Sequence, residues 1–235
     1  MSLPKISHPI FTIEIPSTKT KTRFRPFLVK EEKILLMAQA SGNIKEIISS
    51  LKQVVNNCAL EELDIDDLTT FDLEYIFIKL RAQSVNNIIE LSYVDQEDNK
   101  KYDFEVDLNQ VVLLIDPEHT NKIKVNDEIG IVLKYPKPKV ADDTSEVETE
   151  LDLFFVMMKE CIDYVYDDNK KYLAKDYTKE ELDEFLATLD VGTFKEIQKF
   201  FNTLPKLYYK IEYENELGNH REIELKSLND FFMLG

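Results

Sequence analysis

The chain begins with short period-two patterns and then switches to a spacing near 3.6. FTIEIP, residues 11–16, alternates apolar and polar side chains, and TRFRPFLV follows the polar turn STKTK. This predicts a hairpin with Phe11, Ile13 and Ile15 on one face. Pro26 limits the second strand, because its nitrogen has no proton to give to a ladder. From Lys30 the period lengthens: Ile34, Leu35 and Ala38 form a helical stripe that stops at Ser41 and Gly42. Ile44, Ile47, Ile48, Leu51, Val54, Val55 and Cys58 form a second.

The acidic turn LEELDIDDL leads into TTFDLEYIFIKLRAQSV, where Leu73, Ile76, Phe77 and Leu80 share a helical face. IIELSYV and YDFEVDL, then VVLLI, then KIKV with EIGIVLKY around Asn126 and Asp127, predict a middle region that is mainly antiparallel sheet. Leu151, Phe154, Phe155, Met158, Ile162 and Val165 predict an amphipathic helix. Thr178 with Glu181 and Thr193 with Glu196 match the capping-box spacing and predict two shorter helices. LYYKIEY and REIELKS around residues 216–219 predict a last hairpin, followed by SLNDFF.

The expected class is therefore α+β, amphipathic helices combined with antiparallel β-hairpins. The expected divisions are an N-terminal β arm at 1–30, a helical pair plus antiparallel sheet at 31–139, an acidic linker at 140–150 within PKPKVADDTSEVETE, and a helical lobe ending in a hairpin at 151–235. The two hairpins also resemble each other. YVDQEDNKKYDFEVDLNQVV aligns without a gap on YENELGNHREIELKSLNDFF, placing Tyr93 on Tyr213 and Leu108-Asn109 on Leu228-Asn229, which predicts a degenerate helix-plus-hairpin repeat.

Charge changes this picture. The formal net charge is -16, yet residues 1–30 hold six cations against the single acid Glu14, which leaves -21 for the remainder. Such a division points to a segment that docks on the acidic body or on an acidic partner. The overall acidity argues against nucleic acid and against an anionic membrane surface, both of which need cationic faces. Residues 141–190 carry 16 acids against five lysines, read as a solvated face or as a docking surface for a basic partner. No run approaches the 18 apolar residues of a membrane span, the N-terminus has no leader pattern, and a cytoplasmic setting is expected.

Candidate chemistry is sparse. The five glycines are scattered, so no phosphate-binding loop can be written. His8, His119 and His220 stand near Pro9, Pro117 and Gly218 and are expected to be exposed loop residues. Cys58 and Cys161 lie in apolar, helical-looking surroundings and are expected to be small buried thiols. Asp64 with Asp66, or Asp142 with Asp143, lacks the glycine and terminal glutamate of a calcium loop. No enzyme, cofactor or metal site is expected. Eleven tyrosines and fourteen phenylalanines, concentrated in FDLEYIF, LDLFFVMMKECIDYVY and FKEIQKFFNTLPKLYY, exceed what single amphipathic faces need and suggest a protein interface.

One stretch carries a resemblance. LPKISHPIFTIEIPST, FRPFLVKEEKILLMA and LKQVVNNC resemble the hub subunits and hub-assembly proteins of the baseplates of T4-type contractile-tailed bacteriophages. Leu3, Pro4, Lys5, Pro9, Ile15, Pro16, Ser17 and the run from Arg25 to Lys33 stand at matching places. FDLEYIFIKLRAQSV and the closing LNDFF continue the match. Some relatives carry a CxxC pair in the hairpin turns; this chain has DQEDNKK and ENELGNH there, so a metal knuckle is not carried over. The resemblance implies a non-enzymatic role in building the central hub, as subunit or chaperone, in the host cytoplasm during assembly and in the tail baseplate if retained. The implied partners are hub proteins and, as further candidates, tape-measure proteins, with a homo-oligomer left open. The alternative is a stand-alone acidic protein that masks a basic surface.

The expected partner-binding residues are Arg23, Arg25, Pro26, Phe27, Leu28, Val29, Glu31 and Glu32. Arg23 and Arg25 are expected to project from a strand, Pro26 to fix the turn that follows, and Phe27 and Val29 to anchor the arm on an apolar surface. Glu31 and Glu32 would sit beside a helix N-terminus, where its dipole favours them. Whether the two arginines hold carboxylates of a partner or of this same chain stays open.

Overall fold

The computed structural model describes residues 6–138 and 149–232. In chain order the elements are β1 (Phe11–Glu14), β2 (Lys21–Phe24), α1 (Val29–Ser41), α2 (Ile44–Cys58), α3 (Thr70–Ser84), β3 (Ile88–Val94), β4 (Lys101–Asp107) and β5 (Val112–Leu114). There follow β6 (Lys122–Lys124), β7 (Gly130–Leu133), α4 (Glu150–Glu160), β8 (Ile162–Tyr166) and β9 (Lys171–Leu173). The chain ends with α5 (Lys179–Ala187), α6 (Val191–Asn202), β10 (Lys206–Glu214), β11 (His220–Leu225) and α7 (Leu228–Phe232). Every pairing among these strands is antiparallel, so the α+β class with hairpin-like sheets holds.

Contacts divide the chain into Met1–Leu114 with Lys206–Gly235, and Ile115–Pro205. This differs from the 31–139 and 151–235 division of the sequence reading, for a topological reason. The last hairpin returns to the first unit, where β10 pairs with β5 as well as with β11. β7 and β8, on either side of residues 139–148, pair in one sheet of the second unit. The linker at 140–150 lies outside the described residues except for its end, where the Thr149 hydroxyl accepts the Asp152 N–H at 3.1 Å and caps α4.

In the first unit the β1–β2 hairpin turns Ile13 and Phe24 into a core with Val54, Val55 and Cys58 of α2 and with Leu73, Ile76 and Leu80 of α3. Asp72 fixes this arrangement. Its fully buried carboxylate accepts the Ser17 N–H (2.9 Å) and hydroxyl (2.5 Å) from the hairpin turn, and the Thr69 N–H at the start of α3. α1 stops where Gly42 takes φ +63°, the left-handed conformation that glycine adopts without a Cβ penalty. The opposite face of α3, Ile78 and Ala82, packs against Leu91, Val106, Ile211 and Leu225 of the two hairpins. α3 is thus buried on two sides, and shortening Leu80 to alanine would cost roughly 2–5 kcal/mol.

The two hairpins are built alike but not gaplessly. Asp95 Oδ1 accepts the Glu97 N–H at 2.7 Å, and Asn215 Oδ1 accepts the Leu217 N–H at 3.1 Å, so equivalent residues shape both turns. Val94 pairs with Lys101 and Glu214 with His220, so the second turn is one residue shorter. The ungapped alignment therefore holds for the first strand and slips on the second.

In the second unit a sheet ordered β6-β7-β8-β9 meets α4, α5 and α6 over Ile131, Leu133, Met158, Ile162, Ile197 and Phe200. The amphipathic helix expected through Val165 ends at Glu160. Ile162–Tyr166 is strand β8, because IDYVY is rich in β-branched and aromatic residues and finds a partner in β7. Ile162 and Val165 both reach the core from a strand, so their helical spacing was coincidental. The Thr178–Glu181 box caps α5 as expected. The Thr193–Glu196 box does not start α6: Asp190 does, its Oδ1 accepting the Thr193 N–H at 2.7 Å, and Thr193 is buried in the first turn.

Candidate protein-interaction site

The run from Arg23 to Glu32 forms the corner between β2 and α1. Behind it the strand continues as backbone pairing with the end of α2: Arg25 N–H donates to the Cys58 carbonyl at 2.9 Å and Leu60 N–H to the Arg23 carbonyl at 2.9 Å. The Arg25 guanidinium turns inward. Its Nη2 donates to Glu31 Oε1 (3.0 Å) and to the Asn57 carbonyl (2.8 Å), and its Nη1 to Glu31 Oε2 (3.3 Å) and the Pro26 carbonyl (2.9 Å). Glu31 is wholly buried and also accepts the Leu28 N–H at 2.9 Å, so it serves as the helix cap that Leu28 cannot be. Burial would raise the Glu31 carboxyl; the Arg25 fork and the Leu28 N–H outweigh it and hold the group below the usual carboxylate range.

Arg25 is therefore paired within its own chain. Arg23 is too, but at the surface, where its Nε donates to Glu61 Oε1 at 2.7 Å with both side chains largely solvated. Pro26 and Phe27 are buried, and the Phe27 ring lies 5.7 Å from that of Phe77 while its N–H donates to Ser84 Oγ at 2.8 Å. Leu28 and Glu32 are half-buried, and Glu32 Oε2 is enclosed without a partner among the described residues. Val29 does not anchor the arm: it is 88% exposed, because the first residue of α1 points away from the core. Leu36 (57%) and Met37 (64%) follow it at helical spacing, with Lys33 between.

That solvent-facing stripe escaped the sequence reading, which assigned α1 one apolar face. The signal was there: ILLMA has more apolar residues than Ile34, Leu35 and Ala38 account for.

Other candidate groups are committed elsewhere. Cys58 and Cys161 are free, and burial pushes their thiols up to about 11 and about 12, so neither presents a thiolate. Asp64 Oδ1 accepts the Asp66 and Asp67 N–H groups of its own turn, and Asp66 pairs with Lys52; Asp142 and Asp143 lie outside the described residues. Glu212, His220 and Glu222 converge on an exposed strand face, but the Lys210 ammonium already stands 2.6 Å from both glutamates. His119 departs from its expected loop exposure. Its ring is packed between Tyr135 and Phe200, with centroids at 5.6 and 5.1 Å, and Nδ1 meets Thr203 Oγ1 at 2.9 Å. Much of the phenylalanine surplus is likewise internal: Phe154 packs edge-on against Phe194 and Phe201.

Among the described residues no helix is long and apolar enough to cross a membrane. No curated protein and no solved structure matches the chain. The family model of the T4 bacteriophage base plate protein matches residues 8–233, a span that covers the second unit, most of the first and the whole corner described above. The chain belongs to the T4 bacteriophage base plate protein family.

Proposed function

We propose that this protein acts without catalysis in assembling the central hub of the baseplate, as a hub subunit or as a chaperone for hub and tape-measure proteins. The β2–α1 corner is its partner-binding surface. The observation that carries this reading is the division of labour in the corner: Arg25, Phe27 and Glu31 are internal scaffold, and what they present outward is Val29, Leu36 and Met37, with Arg23 beside the strand. Exposed apolar side chains in register on one helix are costly to leave in water and mark contact surfaces when they cluster.

The test is copurification. The chain would be coexpressed with the tail proteins of its source phage, as wild type and with Val29→Glu, Leu36→Glu and Met37→Glu together. The triple variant should fold normally and lose its partner. Retention of every partner would overturn the assignment of the surface. Mass spectrometry of virions against lysate separates the two roles: recovery alongside the hub proteins marks a subunit, and presence in lysate alone marks a chaperone.

A further inference from the structure

A second surface lies in the unit Ile115–Pro205, where α5 crosses the β8–β9 turn. Val165, Leu182 and Phe185 form the apolar walls of an open groove of about 380 Å³, and the rings of Tyr166 and Tyr177 line it. Tyr166 reaches its place only because residue 130 is glycine: a Cβ there would stand 2.4 Å from the ring. The groove is at the small end of binding pockets, which run from ~300 to ~1,000 Å³, so it has room for one or two large side chains and not for a whole helix.

Among the described residues the charged side chains that line it are both acids, Asp167 and Glu181. Asp167 accepts the Tyr172 hydroxyl at 2.7 Å and the Asn169 and Lys170 N–H groups at 2.8 and 2.9 Å, and these bonds, that of Tyr172 first, keep it below the usual carboxylate range. Glu181 Oε2 accepts the Thr178 N–H at 2.8 Å, and its Oε1 has no protein partner among the described residues. Lys170 stands beside the rim, its ammonium 4.3 Å from the ring centroid of the lining Tyr172, and offsets part of that charge; Glu181 is left as the acid free to meet a cation. Residues 151–190, the segment that supplies every lining residue but Ile129, carry eleven acids against five lysines. A phosphate or carboxylate ligand would meet repulsion here; a cation beside an apolar group would meet both things it needs.

We infer that this groove takes a segment of a partner protein in which an apolar or aromatic anchor is flanked by lysine or arginine. The inference rests on the reading above for the class of ligand, protein, but uses a different surface.

The test uses fluorescein-labelled GKKFLKKG, its analogue with glutamate for lysine, and its analogue with alanine for Phe-Leu. Each is titrated into the full chain by anisotropy, with methyl NMR to locate binding. GKKFLKKG should bind about tenfold more tightly than either analogue and weaken about tenfold from about 50 to about 300 mM salt. The methyls of Ile129, Val165 and Leu182 should shift. Tyr177→Ala, at a side chain 40% exposed and outside the core, should fold and bind at least threefold more weakly. Equal binding of all three peptides, no binding, shifts elsewhere, or an unaffected Tyr177→Ala would each overturn the inference. The triple variant of α1 should still bind the peptide, so failure of either surface is read separately.

Discussion

The Arg25 guanidinium and the Glu31 carboxylate lie fork to fork, at 3.0 and 3.3 Å, with the acid wholly buried. The same carboxylate caps α1 and the same guanidinium caps the end of α2 through the Asn57 carbonyl. Glu31→Ala would leave Arg25 half-enclosed without its counter-charge and the first turn of α1 without its acceptor, a loss of about 3 kcal/mol in urea unfolding. Arg25→Lys keeps the charge but cannot reach four acceptors, and should recover less than half of the difference. The folded Glu31 pKa is depressed, so its contribution is present above the unfolded value near 4.5 and is lost as pH falls through the folded one. Glu31→Gln should flatten that part of the acid limb.

The two hairpins of the first unit are tied turn to turn. Asp95, fully buried, accepts the Tyr213 hydroxyl and Arg221 Nε at 3.0 Å, and Glu97 accepts the Asn215 and Asn219 amides at 2.8 Å each. Tyr213→Phe removes one donor and leaves the rings of Tyr102 and Phe104 their partner at 4.9 and 5.1 Å, so it should be mild, about 2–4 °C in Tm. Asp95→Ala strands Arg221 as well and should cost at least twice that. A double-mutant cycle of the two should be non-additive, since the Tyr213 hydroxyl donates to the carboxylate that Asp95→Ala removes.

These features differ in how far the sequence disclosed them. The helix periods of α1 and α2 and the alternation in the hairpins are readable because each packs one stripe or face against one core; in α3, buried on two sides, the spacing discloses only the face of Leu73, Ile76, Phe77 and Leu80. Where a strand is irregular, two residues three apart can reach one core and imitate a helical face: Leu133 pairs with Ile162 and Val132 with Tyr164, so one residue of β8 is skipped between Ile162 and Val165, and only the pairing with β7 discloses it. The RPFLVKEEK string disclosed acids at a helix start, but not that Glu31 would be claimed by Arg25, since that depends on α2 bringing Asn57 against the arm. The return of β10 to β5 is invisible to local pattern for the same reason: 91 residues separate Leu114 from Lys206 along the chain, and they meet as a pair.

Glu74 makes the first unit sensitive to base. Burial alone raises its carboxyl to about 7, and no hydrogen bond compensates it among the described residues. Between about 4.5 and 7 the unfolded chain has released this proton while the folded chain holds it, so stability falls as pH rises through that window. Glu74→Gln should remove the slope and leave the protein more stable than wild type at pH 8, by on the order of 1–3 kcal/mol. The measurement is urea unfolding of both proteins at several pH values.

His119 makes the second unit respond in the opposite sense. Thr203 Oγ1 donates to the Lys199 carbonyl at 2.8 Å, so its contact with His119 Nδ1 is best met by a ring that donates from Nδ1. Nε2 is then a bare nitrogen, enclosed without a partner among the described residues. Protonation would place an unpaired N–H and a charge there, and burial accordingly lowers the pKa, against the weaker opposing pull of Asp116. With the folded value depressed, the unfolded chain binds the extra proton first: stability is full above about 6.5 and declines as pH falls from there to the folded pKa. His119→Phe keeps the stack on Tyr135 and Phe200 and cannot take a proton, so it should abolish that decline. Hydrogen exchange read separately at Ile131 and at Ile76 distinguishes the two effects, since acid should loosen the core around Ile131 over the pH range in which it tightens the core around Ile76. A common response at both residues would mean that the units unfold together and that neither ionisation acts locally.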